Sequence, residues 1–237
     1  MDFLMKNEIL WLLMLVVNFG SILAVYRFLG KQGLYIWIPI ACILANIQVI
    51  KLVNLFGISA TLGNIVYATS FLATDIISEN YGEKEARKAV VFGFVALFAM
   101  TVLMNLALLF KPAPDDFAQE SLVTIFSLMP RIALASFAAY WVSQLHDVWS
   151  YNFWKRKKPG VKHIWLRNNL STMISQLIDT VIFSVIAFWG VFPLKEFLEV
   201  MATTYLLKWI VAAADTPLVY LARIWFDKGK IKEGLMK

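Results

Sequence analysis

The membrane class of this protein is set by residues 89–110, which read AVVFGFVALFAMTVLMNLALLF and contain no acidic or basic side chain. A helix needs about 20 mostly apolar residues to cross the hydrocarbon core of a bilayer, so this stretch is long enough. The rest of the chain has the same character, because 60% of its 237 residues are hydrophobic and 16% are charged. A soluble domain has about 45–50% apolar and about 25% charged residues. The sequence therefore predicts a protein that lies almost wholly in a membrane.

Six further segments are long and apolar enough to cross a bilayer. With residues 89–110, the predicted spans are residues 9–28, 34–53, 60–78, 120–145, 169–190 and 197–222. The apolar runs are continuous, whereas a membrane barrel would need strands of alternating character. The fold class predicted is therefore an all-α polytopic membrane protein with seven transmembrane helices in a single membrane domain, residues 1–237. The third span is polar at its start, which requires it to face protein rather than lipid.

Lysine and arginine are unequally divided between the links that join these spans. The links after the first, third, fifth and seventh spans hold sixteen of them, and the remaining links and the N-terminal segment hold four. Because cytoplasmic loops carry the excess, we predict a multi-pass protein of the cytoplasmic (inner) membrane with its N-terminus outside and its C-terminus in the cytoplasm. Anionic lipids of the cytoplasmic leaflet then account for the net charge of +6, and nucleic acid is not needed as a partner.

Several signatures of chemistry are absent from the sequence. There is no G-x-x-x-x-G-K-[ST] loop for ATP hydrolysis, and neither H-E-x-x-H nor C-x-x-C is present. The single cysteine, Cys42, cannot form an intramolecular disulfide. We therefore expect no metal, no cofactor and no enzymatic activity.

Polar side chains inside the predicted spans give the strongest functional signal, because such groups are costly in a bilayer and usually serve a purpose. Five spans place them toward one layer of the membrane. In the sixth span they recur every three or four residues, which gives one polar helix face. The predicted substrate-binding residues are Asn46, Gln48, Asn64, Tyr67, Arg131, Gln176, Asp179, Tyr205 and Lys208.

Six of these nine residues also have a purely structural alternative. The amides of the second and third spans could hold helices together by hydrogen bonds. Asp179 and Lys208 could form a structural ion pair, and Arg131 could serve as the counter-ion of Asp75 or Asp179.

Two prolines within the predicted spans lie beside charged residues, since Pro130 precedes Arg131 and Pro217 follows Asp215. Helices broken next to buried charges are frequent in transporter binding sites, so we predict that helices rock about these prolines. Asp75 and Glu79 are expected to act in an inner gate, or to fix the following loop through Arg87. The residues predicted to have gating or structural roles are Asp75, Glu79, Arg87, Pro130, Asp215 and Pro217.

Several motifs resemble those of one known family, the queuosine precursor transporters, also called vitamin uptake transporters. They are ATDIISENYG at residues 73–82, RIALASFAAY at residues 131–140, and RNNLST at residues 167–172 continuing to Phe188 and Trp189. The last span, with Tyr205, Lys208 and Pro217, fits as well. The resemblance covers about residues 40–222.

This resemblance implies import of 7-cyano-7-deazaguanine and 7-aminomethyl-7-deazaguanine across the cytoplasmic membrane. It also implies a six-helix core similar to the substrate-binding components of energy-coupling-factor transporters, plus one extra N-terminal helix, acting without an ATPase. The cargo fits the residues chemically, because a carboxylate accepts paired N–H groups of a guanine-like edge. Asp179 with Gln176, Asn46 or Lys208 supplies such a set, and Tyr67 or Tyr205 could stack on the ring.

Two rival classes stay open at this point. One is a substrate-binding membrane subunit for another vitamin or nucleobase that needs a separate ATPase module. The other is a membrane-embedded enzyme, for which Asp115 and Asp116, or His146 and Asp147, would be the reactive groups. Whether copies of the chain associate stays open as well.

Overall fold

The computed structural model describes residues 7–55, 58–126, 130–190 and 193–232. The regular secondary structure of this part of the chain is helical except for one short β-hairpin. The elements in chain order are α1 (Asn7–Gln48), β1 (Leu52–Leu55), β2 (Ile58–Thr61), α2 (Gly63–Asn80), α3 (Glu83–Ala107), α4 (Gln119–Phe126), α5 (Pro130–Lys157), a single 3-10 turn (Val161–His163), α6 (Ile164–Phe188) and α7 (Leu194–Asp227).

Helix α1 is folded back on itself at Gly30, whose φ of 57° is a conformation that glycine adopts without steric cost. A Cβ built on Gly33 would lie 2.6 Å from the carbonyl oxygen of Val25. In a straight helix, residues eight apart are about 12 Å apart along the axis. The arms, residues 7–29 and 31–48, therefore run antiparallel, and Asn7 Nδ2 donates to the Asn54 carbonyl beyond the second arm at 3.0 Å. They correspond to the first two predicted spans.

A two-stranded antiparallel hairpin replaces the end of the second predicted span and the start of the third. Its register pairs Leu52 with Thr61 and Leu55 with Ile58. The prediction of helix up to residue 53 and again from residue 60 was therefore wrong. The hairpin lets the chain leave one helix and enter the next with the backbone groups of its strands paired.

Helix α2 is the most enclosed element of the described structure. Every residue from Gly63 to Glu79 except Tyr67 is buried, because α1, α3, α5 and α7 pack around it. This confirms the expectation that the third span faces protein. Its polar content is tolerated because neighbouring helices, rather than lipid, surround it.

Four helical segments of the described chain are long and apolar enough to cross a membrane. They are Asn7–Gln48, Glu83–Ala107, Val161–Phe188 and Val200–Asp227. Helices α2 and α5, with 18 and 28 residues, are also long enough to cross a membrane, but they are more polar than these four segments. The chain is thus a helical, multi-pass membrane protein.

The fifth predicted span is described in two parts. Residues 120–126 lie in α4, and residues 130–145 lie in α5. Residues 127–129 of that span lie outside the described residues. The prediction that a helix bends at Pro130 therefore stays a prediction, whereas Pro217 lies inside α7.

Candidate functional site

A buried ion pair between α6 and α7 forms the centre of the candidate site. The Nζ atom of Lys208 lies 2.5 Å from Oδ2 of Asp179. The two residues are only 6% and 3% exposed. Two opposite charges removed from water together can stay ionised, whereas either one alone would be strongly destabilising.

Two more helices bring hydroxyl groups to the same carboxylate. Tyr67 of α2 donates to Oδ1 of Asp179 at 2.6 Å, and Ser143 of α5 donates to the same oxygen at 3.1 Å. The Lys208 ammonium also lies 5.3 Å from the centre of the Tyr67 ring, a distance suited to a cation–π contact. Four helices therefore meet at Asp179, and a change in this contact would be felt by all of them.

Gln176 lies one helical turn before Asp179 on α6 and is fully buried. Neither its Nε2 nor its Oε1 atom has a hydrogen-bond partner among the described residues. A buried amide without partners costs about 1–3 kcal/mol for each unsatisfied group. Gln176 therefore offers a donor and an acceptor to a ligand at the buried carboxylate.

The other predicted binding residues are placed less centrally. The Tyr205 hydroxyl donates to the carbonyl of Met173 at 3.4 Å, which joins α7 to α6 one turn from Lys208. Asn64 is buried at the start of α2. Asn46 donates to the Cys42 carbonyl of its own helix at 2.9 Å. Gln48 is the last residue of α1, and its Oε1 atom is buried without a described partner.

Arg131 lies away from the ion pair, and its residue is exposed. Its Nε atom donates to the carbonyl of Ile186 at 2.5 Å and its Nη2 atom to that of Trp189 at 2.7 Å. It therefore satisfies carbonyl groups at the end of α6, which have no partner within the helix. The cation beside Asp179 is Lys208, so the suggested pairing of Arg131 with that carboxylate was wrong.

A second charged cluster surrounds Glu79 near the end of α2. Its carboxylate lies 2.6 Å from Arg167 of α6, 3.6 Å from Arg223 of α7 and 3.8 Å from Lys155 of α5. Tyr151 of α5 donates to it at 3.1 Å. This cluster ties four helices together at the end of the bundle that carries the basic links.

The loop after α2 is not fixed by Glu79 through Arg87, as the sequence suggested. Arg87 pairs instead with Glu83, four residues earlier in α3, at 2.8 Å. In this cluster, sequence reasoning missed Arg167, because it was counted among the charges of a cytoplasmic link. Its place in the RNNLST motif at the start of an apolar helix was the available signal.

Two further predicted residues bind the polar face of α6. Asp75 accepts a hydrogen bond from Thr172 at 3.0 Å, and Asp215 accepts one from Asn168 at 2.8 Å. Both carboxylates are fully buried. Along α2, Asp75 lies between Tyr67 and Glu79, and along α7, Asp215 lies between Lys208 and Arg223. Both carboxylates therefore lie between the Asp179 site and the Glu79 cluster.

Helices that enclose a buried, charged and partly unsatisfied site within a membrane define a carrier-like membrane protein. Comparison with known proteins identifies the group: the family described as "Putative vitamin uptake transporter" matches residues 61–222, and the chain belongs to it. The resemblance found in the sequence motifs is thereby confirmed. The match includes Tyr67, Ser143, Gln176, Asp179 and Lys208.

Two relatives illustrate the similarity. A Bacillus subtilis protein named "Probable queuosine precursor transporter" is 44% identical over 92% of this chain and 96% of its own length. The Escherichia coli "Queuosine precursor transporter" is 26% identical over 68% of this chain and 71% of its own. No solved structure matches the chain.

Proposed function

We propose that this protein is a carrier, and not an enzyme, that imports 7-deazaguanine precursors of queuosine across the cytoplasmic membrane. The names of its relatives support the cargo. The observation that carries the proposal is the buried Asp179 and Lys208 pair beside the unpartnered amide of Gln176. A flat heterocycle rich in donors and acceptors would use all three groups.

The chemistry of the cargo is complementary to these side chains. A guanine-like edge has N–H donors for a carboxylate and a carbonyl oxygen that accepts from an ammonium or an amide. We infer that the substrate takes over part of the Asp179 coordination that Tyr67 and Ser143 now supply. The Tyr67 ring, already beside the Lys208 ammonium, supports stacking on the heterocycle.

We further propose that the chain crosses the membrane seven times. The crossings would be the two arms of α1 and helices α2, α3, α5, α6 and α7, with the second arm and the five later helices as a core similar to energy-coupling-factor substrate-binding components. The N-terminus would lie outside. Contacts of Lys31 with Glu85 and of Arg223 with Glu79 support this orientation, because they gather the basic links at one end of the bundle.

The proposal is tested with the chain alone in proteoliposomes. We expect saturable uptake of radiolabelled 7-cyano-7-deazaguanine and 7-aminomethyl-7-deazaguanine, with each compound inhibiting uptake of the other. Uptake seen only when a separate ATPase module is added would contradict a self-sufficient carrier. Failure of both compounds to bind or to be taken up would contradict the cargo.

Replacing Gln176 with methionine should raise the KM for uptake about 10–100-fold, because the substrate loses hydrogen bonds worth about 1.4–2.7 kcal/mol. The melting temperature of the protein should not fall, since the amide has no described partner to lose. Leu177→Met is the matched control, because the neighbouring leucine is 44% exposed on the outer face of α6. An unchanged KM in Gln176→Met would remove the amide from the site.

Replacing Arg131 with glutamine should leave the KM within about twofold of wild type. Its guanidinium binds carbonyl groups at the end of α6 and does not contact Asp179. The expected effect is a lower melting temperature, because those carbonyl groups lose charged donors. A KM raised about tenfold or more, measured in the same uptake assay, would place Arg131 in the binding site after all.

A further inference from the structure

Three buried aspartates from three helices lie together next to the candidate site, and we refer to Asp75, Asp147 and Asp215 as the carboxylate triad. All three are fully buried. Asp75 and Asp215 bind Thr172 and Asn168, which are four residues apart and therefore neighbours on one face of α6. Asp75 interacts electrostatically with both other members. The triad is thus one group of carboxyl groups that repel one another when they are ionised.

Asp147 connects the triad to the substrate site. It lies on α5, four residues from Ser143, which donates to Asp179. Its neighbour His146 contacts Ser175 at 3.0 Å, so this part of α5 faces the polar side of α6. Thr172 and Asp179 are seven residues apart, about two turns of that same helix. A change at the triad can therefore reach Asp179 through both α5 and α6.

Four of the six carboxylate oxygens of the triad lack a hydrogen-bond donor. Buried oxygens without a donor among the described residues are Oδ1 of Asp75, both carboxylate oxygens of Asp147 and Oδ2 of Asp215. The hydroxyls of Ser171 and Ser175 lie near Asp147 but donate to carbonyl groups of their own helix. The triad therefore has an excess of buried acceptors.

Asn168 supplies an independent sign that something is bound here. Its amide donates to Asp215 at 2.8 Å and to Thr216 at 3.1 Å. The Oδ1 atom of the same amide is also buried, and it has no hydrogen-bond partner in the described chain. This neutral residue thus adds one more unsatisfied acceptor beside the carboxylates.

The neighbouring charged and titratable groups are engaged elsewhere. Glu79 is bound by Arg167, Arg223, Lys155 and Tyr151, Lys208 is bound by Asp179, and His146 contacts Ser175. Ionised carboxylates buried without a counter-charge cost several kcal/mol each. A bound cation would lower that cost and give a partner to some of the empty acceptor positions.

A proton suits this geometry better than a metal ion. Within the described ranges, no three His, Cys, Asp or Glu side chains come together closely enough to hold a metal ion. A proton needs only one carboxyl oxygen and an acceptor beside it, and like-charged carboxylates favour sharing one. We propose that the carboxylate triad binds the proton that is carried inward with each substrate molecule. This inference rests on the proposed carrier function.

The cycle needs no covalent step. A proton from the outside binds a carboxylate oxygen of the triad while substrate binds at Asp179. After the carrier opens inward, both leave to the cytoplasm, and the carboxylate is again ionised. Protonating one carboxylate lowers the repulsion between α2, α5 and α7, which would let these helices change their packing only when the proton is present.

The test compares exchange with accumulation in proteoliposomes whose membrane potential is clamped at zero. Counterflow of labelled 7-cyano-7-deazaguanine without a pH gradient measures substrate exchange by the carrier, independently of any proton coupling. With the outside one pH unit more acidic, the wild type should accumulate substrate up to about tenfold, since one unit corresponds to about 1.4 kcal/mol per proton. Substrate should also make a weakly buffered outer medium more alkaline.

Asp147→Asn should lower the accumulation ratio to about one, because it removes the carboxylate of the triad that has no donor on either oxygen. Counterflow by the same variant, which needs no net movement of protons, shows whether it is folded and binds substrate. Asp115→Asn, which changes an exposed aspartate in the link before α4, should behave as wild type. Accumulation driven by a sodium gradient and not by protons, or undiminished accumulation by Asp147→Asn, would overturn the proposal. Counterflow absent in the wild type would overturn the carrier function itself, and the proton site with it.

Discussion

Replacing Asp179 with asparagine is expected to lower the initial rate of substrate uptake at least about 100-fold. The carboxylate accepts hydrogen bonds from Tyr67 and Ser143 and pairs with Lys208. Asparagine keeps the shape but can neither neutralise the ammonium nor accept a pair of N–H groups from the substrate. Losing charged hydrogen bonds at a buried site costs about 1.5–3 kcal/mol each. Uptake of labelled substrate, normalised to folded protein in the membrane, measures the effect.

A charge-matched variant separates substrate binding from folding. Asp179→Asn alone leaves the Lys208 ammonium buried without its partner, which costs about 3–5 kcal/mol of stability. The double variant Asp179→Asn with Lys208→Met removes both charges and should recover most of the lost melting temperature. It should still fail to transport. Normal uptake by the double variant would show that the two residues form only a structural ion pair.

The order of the helices could be read from the sequence because apolar length is the main requirement for crossing a bilayer. The boundaries could not be read with the same certainty. The second predicted span runs to residue 53, yet α1 ends at Gln48. The β-hairpin at Leu52–Thr61 was hidden because short apolar runs fit a strand and a helix equally well.

Part of the candidate site could be predicted, because strongly polar side chains are unusual inside a span. Tyr67, Gln176, Asp179 and Lys208 were found by that criterion and lie together in the structure. Ser143 was missed, because a serine in a helix is common and carries no charge.

Arg131 shows a different limit of sequence reasoning. The sequence placed it near the middle of the fifth predicted span, among the candidate binding residues. In the structure its guanidinium reaches carbonyl groups at the end of α6. The position of a charged residue within a span therefore does not show which neighbouring helix it will contact.

Replacing Glu79 with glutamine is expected to cause the largest loss of stability outside the substrate site. The substitution leaves Arg167, which is 2% exposed at its side chain, without its carboxylate and removes the shared partner of Lys155 and Arg223. Breaking a buried ion pair on one side costs about 3–5 kcal/mol. That loss corresponds to a melting temperature lower by roughly 6–20 °C for a chain of this size. Thermal unfolding of the purified protein in detergent measures it.

Glu83→Gln provides the matched control, since Glu83 is four residues away and pairs with Arg87 and Arg156 near the surface. Exposed ion pairs contribute at most about 1 kcal/mol, so this variant should melt close to wild type. Combining Glu79→Gln with Arg167→Gln removes both buried charges and should recover part of the lost stability, because the two residues act as one unit. A melting temperature of Glu79→Gln within about 2 °C of wild type would mean that the three basic residues around it are stabilised by water or lipid rather than by this carboxylate. The cluster would then not be what holds α2, α5, α6 and α7 together at the basic end of the bundle.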